Sequence, residues 1–254
     1  METRVLSFGS LMVSAAEMFN GLLPDRIRKY YKLDPGGNLR IGMNGMLVEA
    51  GERVVLFDPG CADFLPSRFA EAYGLQIPVP VDEVIKKSGY SPERVTDVIF
   101  THLHYDHGTG AFRRVPGKIV KRFTNAAYHV LKEHYSYASS PRKVEKNSFF
   151  FSFFRNVDRL CWLEDWEGTW MQFRVYDGHT ERMVVPSVQT PHGKIHYVSD
   201  LVPMEIFLEP DVSSVYDLDP QQAIRDKLDF LGRVEKPAKL ILYHDLVQST
   251  VVVE

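Results

Sequence analysis

Between His102 and His107 the chain reads His-Leu-His-Tyr-Asp-His, placing three imidazoles and a carboxylate within six residues, directly after Thr101. The run before it, Arg94–Phe100, is apolar and β-branched and follows Ser91-Pro92, the pattern of a buried strand. The histidines therefore stand just past a strand's C-terminal end. Residues two apart in extended backbone point the same way, so His102 and His104 can reach one metal ion together. If the chain then turns, with Gly108 and Gly110 supplying backbone freedom, Asp106 and His107 face inward and hold a second ion. Imidazole nitrogen and carboxylate oxygen suit zinc, and also iron, manganese or cobalt; spacing does not choose among them. A solvated, metal-free histidine loop is the alternative, and four ligand-type residues at one strand end weigh against it.

Thr-His-x-His-x-Asp-His after an apolar strand resembles the signature of the metallo-β-lactamase superfamily. That family completes its site with a later Gly-His, an Asp at a strand end and a His near the C-terminus, in that order. This chain offers Gly178-His179-Thr180, Tyr197-Val198-Ser199-Asp200 and Leu240-Ile241-Leu242-Tyr243-His244. The resemblance implies that His102, His104 and His179 bind one metal, Asp106, His107 and His244 a second, and that Asp200 bridges them. Two divalent ions are implied, zinc first, with manganese, iron or cobalt as alternatives. The implied fold is α/β, a four-layer αββα sandwich of two mixed β-sheets flanked by helices. The implied chemistry is hydrolysis by a metal-bridged hydroxide, with Asp106 orienting it and passing a proton to the leaving group.

Departures from the pattern narrow the substrate. After Gly178-His179-Thr180 the chain continues Glu181-Arg182-Met183, where many lactonases and glyoxalase-type enzymes repeat Gly-His. Pro203 stands where acyl-homoserine lactonases tend to carry a Tyr, so Tyr105 or Tyr216 would have to come close in the fold. No basic cluster matches a glutathione reader, and His104 argues against the flavodiiron branch. A lactone or carboxylic ester is expected first, a phosphodiester or organophosphate second. A mono-iron dioxygenase and a non-catalytic ligand-binding relative are the readings from other classes.

The bulk properties agree with a compact enzyme. A chain of 254 residues, 44% hydrophobic, can bury one substantial core, and ligands running from His102 to His244 must converge, so residues 1–254 are expected to form a single domain. Net charge of −3 with mixed signs gives no basic stripe, so no nucleic-acid partner is expected. Cys61 and Cys161, far apart, read as buried small hydrophobes in a reducing compartment. The apolar patches of Met1–Leu23 are interrupted by Glu17 and Asn20, a poor leader and too short to span a membrane, so a cytoplasmic protein is expected.

Along the chain, residues 4–8 read as a first strand and 18–24 as an apolar loop. In lactonase-like relatives that loop lines the substrate cleft, which makes Met18 and Phe19 candidate pocket walls. Residues 39–48 and 53–58 form a hairpin ending in Asp58-Pro59-Gly60, with Asp58 as a structural anchor beneath the metals. Helices are expected at 64–73 and 81–87, and strands at 118–120 and 126–130; His129 and His134 fall outside the ligand pattern. The segment 148–173 is dense in aromatics. Positions 150, 153, 154 and 157 share a helical face, so a helical insert or cap is expected at about 148–170, with core packing or a homodimer contact as alternatives. As a cap it would bring Phe150 and Phe154 to the apolar portion of a small-molecule substrate. Strands follow at 171–176, 183–189 and 194–199, with His192 exposed and His196 packed or solvent-facing. Asp219, Pro220 and Gln222 signal a capped helix running to about Val234, in which Lys227 lends its stem to the apolar stripe. Residues 240–243 make a last buried strand that delivers His244.

Overall fold

In the computed structural model, which describes residues 1–155 and 157–254, the chain opens with β1 (Glu2–Ser14). This strand is much longer than the expected residues 4–8. A register shift between Ser7 and Ser10 lets it bend while staying paired to β2 (Asn38–Ala50). Between them the apolar loop contains two one-turn helices, α1 (Ala15–Met18) and α2 (Pro24–Ile27). β2 turns back into β3 (Arg53–Phe57) as the expected hairpin, and α3 (Ser67–Ala72) and α4 (Val81–Lys87) lead to β4 (Asp97–Ile99). The metal loop follows with the single turn α5 (Tyr105–Gly108), then the small hairpin β5 (Phe112–Val115) and β6 (Lys118–Lys121). β7 (Ala127–Val130), α6 (Lys132–Ser139) and β8 (Leu160–Trp162) complete this half. The second half is β9 (Met171–Tyr176), β10 (Met183–Thr190), β11 (Gly193–Ser199), α7 (Pro220–Arg233), β12 (Ala238–Leu242) and β13 (Thr250–Val253).

The strands form two mixed sheets, ordered β1-β2-β3-β4-β7-β8 and β13-β12-β11-β10-β9, beside the β5-β6 hairpin. Their inner faces meet where Phe57 packs on Tyr197 with ring centroids 5.7 Å apart. α4 packs along β1 outside the first sheet, and α7 sets Phe230 against His196 outside the second. This is the expected αββα sandwich. Val54–Phe57, Val98 and Ile99 are fully buried, and each such side chain contributes ~1.5–3 kcal/mol relative to exposure. That places the best-anchored backbone directly beneath the metal loop. No helix among the described residues is long and apolar enough to cross a membrane.

Five local expectations change. The aromatic segment is not a helical insert: it holds short 3₁₀ turns at Phe151–Phe153 and Leu163–Asp165 with strand β8 between them, while Asn156 lies outside the described residues. Its rings serve several neighbours at once, Phe151 on Tyr135, Phe153 on Phe64, and Phe154 wedged between Phe100 and Phe112, which no single helical face can do. Gly108 and Gly110 are required for space, since a Cβ on Gly110 would lie 2.2 Å from the Pro59 carbonyl and one on Gly108 2.7 Å from Phe154. In α7, Asp219 caps Gln222 N–H at 2.9 Å, but the Gln222 amide turns to Asp226 instead of closing a capping box. Lys227 is buried to its tip, its ammonium donating to the carbonyls of Glu209 and Val212. Cys61 is fully buried and Cys161 half-buried.

Candidate metal centre

The site begins where β4 ends, at the C-terminal edge of parallel strands β3, β4 and β7. Thr101 is fastened there by Asp58, which accepts its backbone N–H at 2.9 Å and its hydroxyl at 2.6 Å. Thr101 Oγ1 in turn accepts His102 Nδ1–H at 3.0 Å, so the Nε2 lone pair of His102 is left facing inward. Asp58 also takes His107 Nδ1–H at 3.1 Å. Asp58 and Ser199 both hold positive φ, +40° and +44°, and Ser199 Oγ lies 2.9 Å from Thr101 Oγ1. Two strained residues thus meet beneath the histidines, where such strain has a positioning use.

The other histidines follow the same scheme, one nitrogen held by a protein acceptor and the other turned inward. His104 Nε2 is held by Glu145 at 3.2 Å, His179 Nδ1 by Asp217 at 3.0 Å, and His244 Nδ1 by the Gly42 carbonyl at 2.8 Å. This leaves His104 Nδ1 and His179 Nε2 facing each other at 3.3 Å. With both rings neutral these would be two opposed lone pairs, a repulsion that a proton or a metal ion between them relieves. Donors of His102, His104 and His179 lie within 4.8 Å of one another, as do those of Asp106, His107 and His244. Asp200 stands between the two groups. Its Oδ2 is 3.1 Å from His179 Nε2, and its Oδ1 is 3.3 Å from His107 Nε2 and 3.5 Å from His244 Nε2.

The electrostatics call for cations. His102 Nε2, His107 Nε2 and Asp200 Oδ1 are buried without a hydrogen-bond partner, which native interiors rarely tolerate. Burial pushes His102 and His104 down, favouring neutral ligands. Burial works against charge on Asp200 as well, yet the surrounding imidazoles, His107 foremost, hold it well below the usual carboxylate range. Burial likewise opposes protonation of His179, but Asp200 and Asp217 raise it to about 10. The cluster's carboxylates thus seek positive charge, and the donor set of imidazole nitrogens and carboxylate oxygens fits zinc or a similar divalent ion.

All seven expected ligand residues come together. Met18 lines the cleft in front of them with Leu11, Val13, Ile41, Tyr105 and Tyr216. Phe19 does not: it is buried at 2% exposure, stacked on Tyr31 and packed on Phe207. Phe150 stands behind Tyr105, stacked at 5.7 Å, and Phe154 is core, 1% exposed. Within the aromatic segment the ring that touches a histidine of the cluster is Phe149, 4.7 Å from that of His104, while Tyr243 stacks on His107 at 3.9 Å. His134 is structural, accepting Leu103 N–H at 2.9 Å and donating to the Glu181 carbonyl at 2.6 Å. His129 binds Asp97, and His196 binds Ser187 away from the cluster. Glu145 and Asp217 were not singled out from sequence, since neither stands in a pattern that marks a buried acid.

Comparison with known proteins agrees with this geometry. A stretch of 106 residues is 32% identical to an N-acyl homoserine lactonase from Bacillus cereus, covering 36% of this chain and 42% of that protein, less than half its length. A solved structure of a probable metal-dependent hydrolase from Staphylococcus aureus superposes with a TM-score of 0.85 at 18% identity, over 99% of this chain and 91% of that one. The dizinc quorum-quenching lactonase AidC, solved with its product N-hexanoyl-L-homoserine, gives 0.78 at 18% identity, over 98% and 89%. The model of the metallo-beta-lactamase superfamily matches residues 42–244, the span that carries every one of the seven donors, and the chain belongs to that superfamily.

Proposed function

We propose that the protein is a binuclear metal-dependent hydrolase of a lactone or carboxylic ester. His102, His104 and His179 would hold one ion, Asp106, His107 and His244 the other, with Asp200 shared. The observation that carries this reading is the division of Asp200, one oxygen toward His179 and the other toward His107 and His244. Bound divalent ions would supply Lewis-acid polarisation of a carbonyl and a water acidified toward neutrality.

The chain's own residues do the rest. Asp58, Thr101, Glu145, Asp217 and the Gly42 carbonyl fix each ring's tautomer and direction, so the donors would be preorganised before any ligand arrives. Asp106 is the most open of the seven, its side chain 13% exposed and facing the cleft. Its carboxylate would take a proton from the attacking water and return it to the leaving alkoxide. The Leu11, Val13, Met18 and Ile41 wall suits an acyl or alkyl portion and offers a highly charged substrate no cationic contact. The partial identity to a lactonase supports the lactone within this class. Donors drawn from both halves of the chain favour one cooperative domain.

The test is a hydrolysis panel after reconstitution with zinc or manganese: an acyl-homoserine lactone, a p-nitrophenyl ester and a phosphodiester. Metal-dependent turnover of lactone or ester above phosphodiester is expected. Turnover of the phosphodiester alone contradicts the substrate class.

A further inference from the structure

The outer face of the second sheet carries a second polar hollow. In β11 the odd residues Ile195 and Tyr197 face the core, so Lys194 and His196 face outward, where α7 packs. Strand register sets Ser187 of β10 opposite His196, and Arg174 of β9 opposite Val185, two residues along β10 from Ser187. Together with Arg233, at the end of α7, and Glu235, just past it, these side chains line a hollow of about 550 Å³. His196 is 4% exposed, and its Nδ1 lies 2.7 Å from Ser187 Oγ. Its Nε2 has no hydrogen-bond partner, and neither has the buried Nη1 of Arg174. Each such orphan has a cost that a suitable ligand removes.

We propose that this hollow binds a small oxyanion, a phosphoryl or carboxylate group, through His196 Nε2–H and the Arg174 guanidinium. With the Ser187 hydroxyl donating to Nδ1, the proton of His196 sits on Nε2 and points into the hollow. Arg174 lies over the Phe230 ring at 5.9 Å, which holds its fork beside the imidazole. The charge is unbalanced. Arg233 is engaged by Asp229 at 2.6 Å, whereas Arg174 and Lys194 form no ion pair among the described residues. Burial, then Arg174 and Lys194, push His196 down to about 4. Glu235, exposed on the rim, is the carboxylate that competes with a ligand.

The test is a titration of zinc-loaded, 15N-labelled protein with inorganic phosphate and, separately, acetate, read on the histidine ring signals. His196→Gln and His107→Gln assign the signals. Saturable movement of the His196 signals is expected, weakened about tenfold by Arg174→Met, as for loss of a charged hydrogen bond. Lys194→Met, on an exposed side chain, should weaken it less, and Glu235→Gln should tighten it. Movement with phosphate alone identifies a phosphoryl site, and movement with both a general oxyanion site. Movement confined to the His107 and His244 signals places the anion at the metal cluster and overturns the proposal. So do His196 shifts no larger than those of exposed His192, or unchanged in both cation variants.

Discussion

His107 Nδ1 lies 3.1 Å from Asp58 Oδ2, and the same carboxylate holds Thr101 by backbone and side chain. One buried acid outside the ligand set therefore orients a histidine from each proposed metal group, His107 directly and His102 through Thr101. Asp58→Asn replaces an acceptor oxygen with a donor, setting N–H against N–H or O–H. Metal affinity should fall by roughly 10–100-fold with every proposed ligand still present. Competition with a chromogenic chelator measures it; an unchanged affinity contradicts the orienting role.

The aromatic segment separates into core and wall. Phe154→Ala empties a site enclosed by Phe100 and Phe112 and should cost about 3–5 kcal/mol in urea unfolding. Phe150→Ala removes the ring behind Tyr105 and should raise KM on the order of fivefold, about 1 kcal/mol, with a smaller loss of stability. Equal stability losses with unchanged KM would make both rings core.

His134 gives the fold an acid limit. Burial lowers it to about 4 in the folded protein, against an ordinary 6.5. As pH falls below 6.5 the unfolded chain takes up the proton first. The stability of the neutral, doubly bonded ring is full above pH 6.5 and is lost as pH falls toward 4, in all about 3 kcal/mol. His134→Gln keeps an acceptor for Leu103 N–H and a donor for the Glu181 carbonyl but does not titrate. Urea midpoints at pH 7 and pH 4.5 should show the wild type losing more stability than the variant; parallel losses contradict this role.

The spacing of His102, His104, Asp106 and His107 made a cluster legible in sequence, and the resemblance it carries pointed to His179, Asp200 and His244; three of these residues follow strands, His102 after β4, Asp200 after β11 and His244 just past β12. The helix over Pro220–Arg233 was legible because its cap and its apolar stripe agree. Glu145 and Asp217 were not, since a lone acid carries no local mark of burial, and only the fold brings it to a histidine. The full length of β1 was hidden by the irregularity between Ser7 and Ser10, which breaks the alternation that marks a strand. Phe149, outside the face of 150, 153, 154 and 157, is bridged to His104 as an extended residue, a pairing that the local sequence does not mark.

The central claim is that Asp200 joins two ion sites. The most direct measurement is the metal-to-protein ratio by mass spectrometry after zinc reconstitution and gel filtration, for the wild type and for Asp200→Ala. The account predicts about two ions per wild-type chain, with at least one lost in the variant, since the shared carboxylate serves both. A single ion per wild-type chain, or a variant that keeps its full load, would contradict it.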